Sequence, residues 1–252
     1  NIAIFGGSGK TGSECVYQAL KQGSKPFVMA RDPSKLKVPL GSGGKLGGTP
    51  LYDSNVKVRQ SPARRGGIGD VTDASAVDRV FQNNDIDSVI VALGGRTSSV
   101  GASMLTDGTR NIVNSMKKFG VKKVSLVTSI GTGDSLSMAP LSFRMLIYTV
   151  MRKSFKDKNN QEQLFLSPSG PGKDLDYCIV RPGGLGEGAP TGVVNVVKEE
   201  AGSIHRADLA SFLLDSVLEP SFEYSQCAVA VSSSHGTGWT KQEGFDKPGE
   251  SL

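Results

Sequence analysis

The chain has 252 residues, 37% of them hydrophobic and 21% charged, a size and balance that suit one folded α/β domain. No apolar run approaches the roughly 20 residues of a membrane-crossing helix, and the 32 glycines are too dispersed for a collagen repeat. The net charge of +5 comes from scattered lysines and arginines, and aromatics make up only 6%, so the basic stripe with stacking rings that marks a nucleic-acid face is missing.

The predicted elements alternate. Asn1–Phe5 reads as a buried strand stopped by glycine, and Gly6–Gly12 is a glycine loop. A helix follows with Cys15, Val16, Ala19 and Leu20 on one face, and Gly23 suits its C-terminal end. Pro26–Ala30 is the second strand, which closes a βαβ unit of about 30 residues. Residues 36–67 hold many glycines and prolines, and are expected to be an insertion around a third strand, Val56–Gln60. Then come a helix over Asp73–Phe81, a strand over Asp87–Leu93, a helix over Asp107–Phe119 and a strand over Val124–Thr128. Leu141–Leu166 is helical in composition, in two pieces; Asp176–Val180 is a strand that Arg181-Pro182 should end. A helix over Asp208–Leu218 and a strand over Cys227–Val231 complete the series, and 236–252, with the only Trp, Trp239, reads as a polar tail. This alternation predicts a doubly wound, parallel Rossmann sheet over 1–235, covered on both faces.

The three cysteines, Cys15, Cys178 and Cys227, are odd in number and far apart, which fits a reducing intracellular compartment better than a disulfide framework. With His205 and His235 the only histidines, no metal site is expected. The first residue is Asn1 rather than Met, which leaves room for a preceding transit segment.

The glycine loop contains a decoy. Gly9-Lys10-Thr11 imitates the end of a triphosphate-binding loop, but the first glycine of that pattern would fall on Ile4, inside the strand. Gly7-x-Gly9-x-x-Gly12 matches the dinucleotide pattern instead, directly after a strand and opening a helix. There the helix N-terminus offers free N–H groups to the pyrophosphate. At the end of the second strand stand Arg31 and, close by, Lys35. A guanidinium can grip a phosphate through two N–H groups, which favours NADP(H). Asp32 keeps NAD(H) open.

These residues, with Gly69-Asp-Val71, Val89–Gly94, Gly108–Ile112, Val127-Thr-Ser129, Asp176–Gly184 and Ile204–Ala210, carry a resemblance across most of residues 1–231. The chain resembles the atypical short-chain dehydrogenase/reductase family, in its NAD(P)H-binding, NmrA-like branch of biliverdin reductase B (flavin reductase)-like and Tic62-like proteins. The resemblance implies that Gly6, Gly7, Ser8, Gly9, Lys10, Thr11 and Gly12 hold the pyrophosphate, and that Arg31 and Lys35 flank the 2′-phosphate. It further implies that Asp70 and Val71 line the adenine, that Leu93, Gly94 and Arg96 approach ribose and phosphates, and that Thr128 and Ser129 sit by the nicotinamide. Pro182, Gly183 and Gly184 would close over the carboxamide end.

The wider family's Tyr-x-x-x-Lys is not kept: Tyr148-Thr-Val-Met-Arg152 carries Arg at the Lys position. Tyr148 and Ser129 are nonetheless the candidate catalytic residues. Two readings stand. One is an NADPH-dependent reductase passing hydride to a flavin-, quinone- or tetrapyrrole-like acceptor. The other is a non-catalytic NAD(P)-binding subunit or assembly factor of a larger respiratory or photosynthetic complex. The family resemblance admits a chloroplast or mitochondrion as location, and the cytoplasm also remains open.

Overall fold

In the computed structural model, residues 1–30, 32–51, 57–59, 70–95 and 101–233 are described. Arg31, Arg96 and the 236–252 tail therefore lie outside the described residues, as do 52–56 and 60–67 of the expected insertion.

The strands β1 (Ile2–Phe5), β2 (Pro26–Met29), β3 (Lys57–Arg59), β4 (Ser88–Val91), β5 (Lys123–Val127) and β6 (Asp176–Pro182) run parallel, in the order β3-β2-β1-β4-β5-β6. This is the doubly wound Rossmann order, with its switch point between β1 and β4. Beyond β6 lie β10 (Cys227–Ser232), parallel, and then the edge strand β8 (Asn195–Val197), antiparallel to β10. A separate pair, β7 (Gly184–Gly186) and β9 (Ser203–His205), forms a small second sheet. Ile4, the residue that breaks the triphosphate pattern, is fully buried in β1.

The helices cover both faces because each presents an apolar stripe. On one face, Cys15, Val16 and Ala19 of α1 (Lys10–Lys21) pack with Leu209, Phe212 and Leu213 of α6 (Arg206–Leu218). On the other lie Val77, Val80 and Phe81 of α2 (Ala74–Phe81), Ile112 and Met116 of α3 (Met104–Phe119), and Leu164 and Phe165 of α5 (Arg152–Leu166). Between β5 and α5 comes the short α4 (Leu141–Tyr148), so 141–166 is helical in two pieces as composition suggested. None of the described helices is long and apolar enough to cross a membrane.

Three boundaries differ from expectation for physical reasons. Helix α3 begins at Met104 rather than near Asp107, because Asp157 of α5 accepts the N–H groups of Leu105 (2.9 Å) and Thr106 (3.0 Å); the cap comes from another helix. Strand β6 does not end before Arg181-Pro182. Pro182 registers with Val231 of β10, and its carbonyl accepts from the N–H of Ile130. Part of the glycine-rich 36–67 stretch has structure of its own. Leu36, Val38 and Leu51 are buried, Lys37 and Pro50 form a bridge, and the buried Glu14 carboxylate takes the N–H groups of Gly41 and Ser42. Burial raises the pKa of Glu14, against the pull of those hydrogen bonds.

Candidate cofactor site at the carboxyl ends of the strands

The glycine loop lies against the switch point. Gly6 has φ +87°, and a Cβ there would fall 2.3 Å from the Ala92 carbonyl oxygen, at the end of β4. A Cβ on Gly12 would fall 2.1 Å from the Gly6 carbonyl oxygen. The loop and the first turn of α1 are thus in backbone contact, which leaves no room for side chains between them. Gly9, the N-cap, offers no side-chain cap, and the first turn of α1 has no acidic residue. Its leading N–H groups have no intrahelical partner, so the helix end suits an anion.

A cleft of about 260 Å³ flanks this loop, lined by Ser8, Lys10, Lys35, Lys37, Glu187 and Arg206 among others. Lys10 pairs with Glu187, and Arg206 lies 3.5 Å from the same carboxylate. Lys35 is exposed and reaches Asp32 only at 3.9 Å, while Asp32 spends its carboxylate on Ser34 in a short turn after β2. The cleft is therefore lined by four cations, of which Lys10 and Arg206 are engaged by Glu187.

The other half of the site sits after β5. Thr128 is buried, and its hydroxyl donates to Glu162 at 2.6 Å. Thr132 Oγ1 lies 2.6 Å from the same Glu162 oxygen and 2.7 Å from the Ser129 carbonyl, and its single proton serves one of the two. Arg181 of β6 donates to both Glu162 oxygens, Nε at 3.0 Å and Nη2 at 2.6 Å. Both members of this pair are almost wholly buried. Arg181 also holds the exposed Asp134, and the Arg181 hydrogen bond lowers the Asp134 pKa. Between these groups the Ser129 hydroxyl is half-buried and bonded only to the Ile130 carbonyl, at 3.0 Å.

Lys158 completes this group. Its ammonium donates to the Thr128 carbonyl at 3.1 Å. Burial pulls its pKa down to about 8, against the opposing pull of Glu162 and Asp157. The signal for this cluster was present in the helical period. Phe155, Lys158, Glu162 and Phe165 follow one another at spacings of three and four, so charged residues occupy inward positions of α5.

The remaining expected residues are dispersed. Gly94 is exposed, with nothing within 4 Å of a Cβ placed on it, and Leu93 beside it is half-buried. Asp70 caps its own turn through the N–H of Thr72, and Val71 is buried against Gly108. Pro182 is buried in β6, and Gly183 N–H donates to Val231. Tyr148 is 64% exposed on α4 and takes no part in the Thr128–Lys158 group. Among the described residues, no group of His, Cys, Asp and Glu could hold a metal ion.

Comparison with known proteins agrees with this geometry. A family model described as NAD(P)H-binding matches residues 53–220. An uncharacterized chloroplastic protein of Arabidopsis thaliana, At2g34460, is 28% identical over 232 residues, covering 86% of this chain and 72% of that protein. Among solved structures, the anaerobilin reductase ChuY of Escherichia coli O157:H7 superposes with a TM-score of 0.65 at 24% identity, covering 92% of this chain and 96% of that one. A wide-type short-chain dehydrogenase/reductase of Veillonella parvula, solved with NADP, gives 0.66 at 13% identity, covering 96% and 98%.

Proposed function

Because the chain belongs to the NAD(P)H-binding family, we propose that it is an NADPH-dependent reductase of the atypical short-chain dehydrogenase/reductase type, acting on a flavin-, quinone- or tetrapyrrole-like acceptor. The observation that carries this is the pairing of two features at the strand ends: an uncapped glycine turn after β1, and a titratable Lys158 on the Thr128 carbonyl after β5, two strands along. The likeness to the anaerobilin reductase ChuY supports an acceptor of the tetrapyrrole class.

The residues divide the work. The N–H groups of the Gly6–Gly12 turn and of the first turn of α1 bind the pyrophosphate. Gly94 leaves open backbone after β4, while Asp70, Val71 and Leu93 border the adenosine half and Arg96 approaches its phosphates. Arg31 and Lys35 select the 2′-phosphate, and Lys37 lines the same cleft as Lys35. When bound, the cofactor supplies hydride. Thr128 and Ser129 orient the nicotinamide end, Pro182 and Gly183 border it, and Lys158 holds a proton at Nζ for the reduced acceptor. The Glu162–Arg181 pair fixes the turn that carries Ser129.

The test is cofactor titration of the full chain. NADPH should bind at least tenfold more tightly than NADH, and Arg31→Ala should erase that preference. Equal affinities in the parent would sink the NADP assignment. Turnover with flavin, quinone and bilin acceptors then tests the reaction. A second reading, a non-catalytic subunit of a larger assembly, is supported by the exposed Tyr148 and its apolar neighbours on α4. Co-purification in a large complex without turnover would favour it. The chloroplastic relative supports placement in a plastid.

A further inference from the structure

Helix α4 is built inside out. Ile147 is its only fully buried residue, while Leu141, Met145 and Tyr148, one face at spacings of four and three, are 72%, 65% and 64% exposed. Val150, in the turn that follows, is 80% exposed. A surface helix normally turns its apolar stripe inward, and this is the densest group of exposed large apolar side chains among the described residues.

Charge is sorted along the same stretch of chain. No Asp or Glu occurs between Asp134 and Asp157, and the interval holds Arg144, Arg152, Lys153 and Lys156. The two flanking acids are already engaged, Asp134 by Arg181 and Asp157 by the start of α3. Arg144 spends its guanidinium on the Ala139 and Ser137 carbonyls. Arg152, Lys153 and Lys156, in the first turns of α5, are exposed and make no ion pair among the described residues.

The occupant must then be apolar and anionic together. A second copy docking by two-fold symmetry would set the basic run against its own like charge, with no acid inside the 135–156 interval to relieve it. A bilayer with anionic headgroups meets both demands: exposed Leu, Met and Val enter the headgroup–acyl boundary, Tyr rests at the interface, and Lys and Arg reach lipid phosphate. We propose that α4 and the first turns of α5 form a docking face for an anionic membrane surface, with Leu141, Met145 and Val150 inserting and Arg152, Lys153 and Lys156 on phosphate. Attachment is peripheral and independent of the proposed reductase activity.

The experiment is flotation of the full chain with vesicles of phosphatidylcholine alone, or of phosphatidylcholine and phosphatidylglycerol in equal parts. Binding is expected to the second and not the first, and should weaken as salt is raised. Arg152→Gln, Lys153→Gln and Lys156→Gln, all exposed and safe for folding, should each weaken it about fivefold. The pair Leu141→Ser and Met145→Ser should lower it at least tenfold at low salt. No binding to either vesicle, equal binding to both, or indifference to the charge changes would overturn the proposal. So would a parent chain that is dimeric by sedimentation and becomes monomeric in the Leu141→Ser and Met145→Ser variant, which would assign the face to self-association.

Discussion

The two ends of the proposed cofactor site are made in opposite ways. Around Gly6–Gly12 the working parts are backbone: free N–H groups, a left-handed turn, and the absence of side chains where Ala92 and Gly6 carbonyls come close. Around Thr128–Lys158 the working parts are buried side chains in charge-assisted contact, Glu162 with Arg181, Thr128 and Thr132. The first kind of site tolerates almost no added atom, and the second tolerates almost no lost one.

The sharpest way to break the second half is Glu162→Gln. It leaves the buried Arg181 charge short of its partner, and removing one member of a buried pair costs about 3–5 kcal/mol. Thermal melting should fall by roughly 10 °C for a chain of this size. A drop of a degree or two would mean that Asp134 suffices for Arg181. In the first half, Gly6→Ala meets both a positive φ and the Ala92 carbonyl. It should cost about 2 kcal/mol of stability and reduce NADPH affinity far more than a substitution at the exposed Lys35. Unchanged affinity would remove the loop from the cofactor site.

The mildest change sharpens the contrast by pH. Lys158 titrates near 8 in the folded chain, so a proton-donating role fades as pH rises through that value. The turnover profile should fall on its alkaline side near 8 in the parent and flatten in Lys158→Met. The linkage to folding has the opposite sense. The unfolded chain keeps this proton up to about 10.5, more tightly than the folded one, so the contribution of Lys158 to stability rises with pH between about 8 and 10.5.

These two constructions explain what could be read from the amino acids. The strand–helix alternation and the glycine turn were legible, because burial periodicity and glycine spacing are local properties. Thr128 and Ser129 directly follow β5, close to where the apolar run Val124–Thr128 predicted a strand to end. The helical period puts Glu162 inward, but its pairing with Arg181 was not legible, since the two stand 19 residues apart on different elements. The start of α3 was missed for a like reason: its cap, Asp157, stands 52 residues from Leu105. Arg181-Pro182 looked like a strand stop, but β10 and Ile130 hold it in the sheet. The β7–β9 pair, built from three-residue strands among glycines, has too little period to announce itself.

The shared Glu162 carboxylate also has a consequence in time. Thr128, Thr132 and Arg181 all converge on it from β5, its following turn and β6. Withdrawing Arg181 strands the buried Glu162 charge, and withdrawing Thr128 or Thr132 strips that carboxylate of a hydrogen bond. The amides of the 128–133 turn should therefore exchange with solvent deuterium only when the whole domain unfolds. A floor that opens only with the domain cannot reshape itself around different acceptors. Selectivity must then come from the parts laid over it, and the floor holds one fixed geometry for whatever they admit.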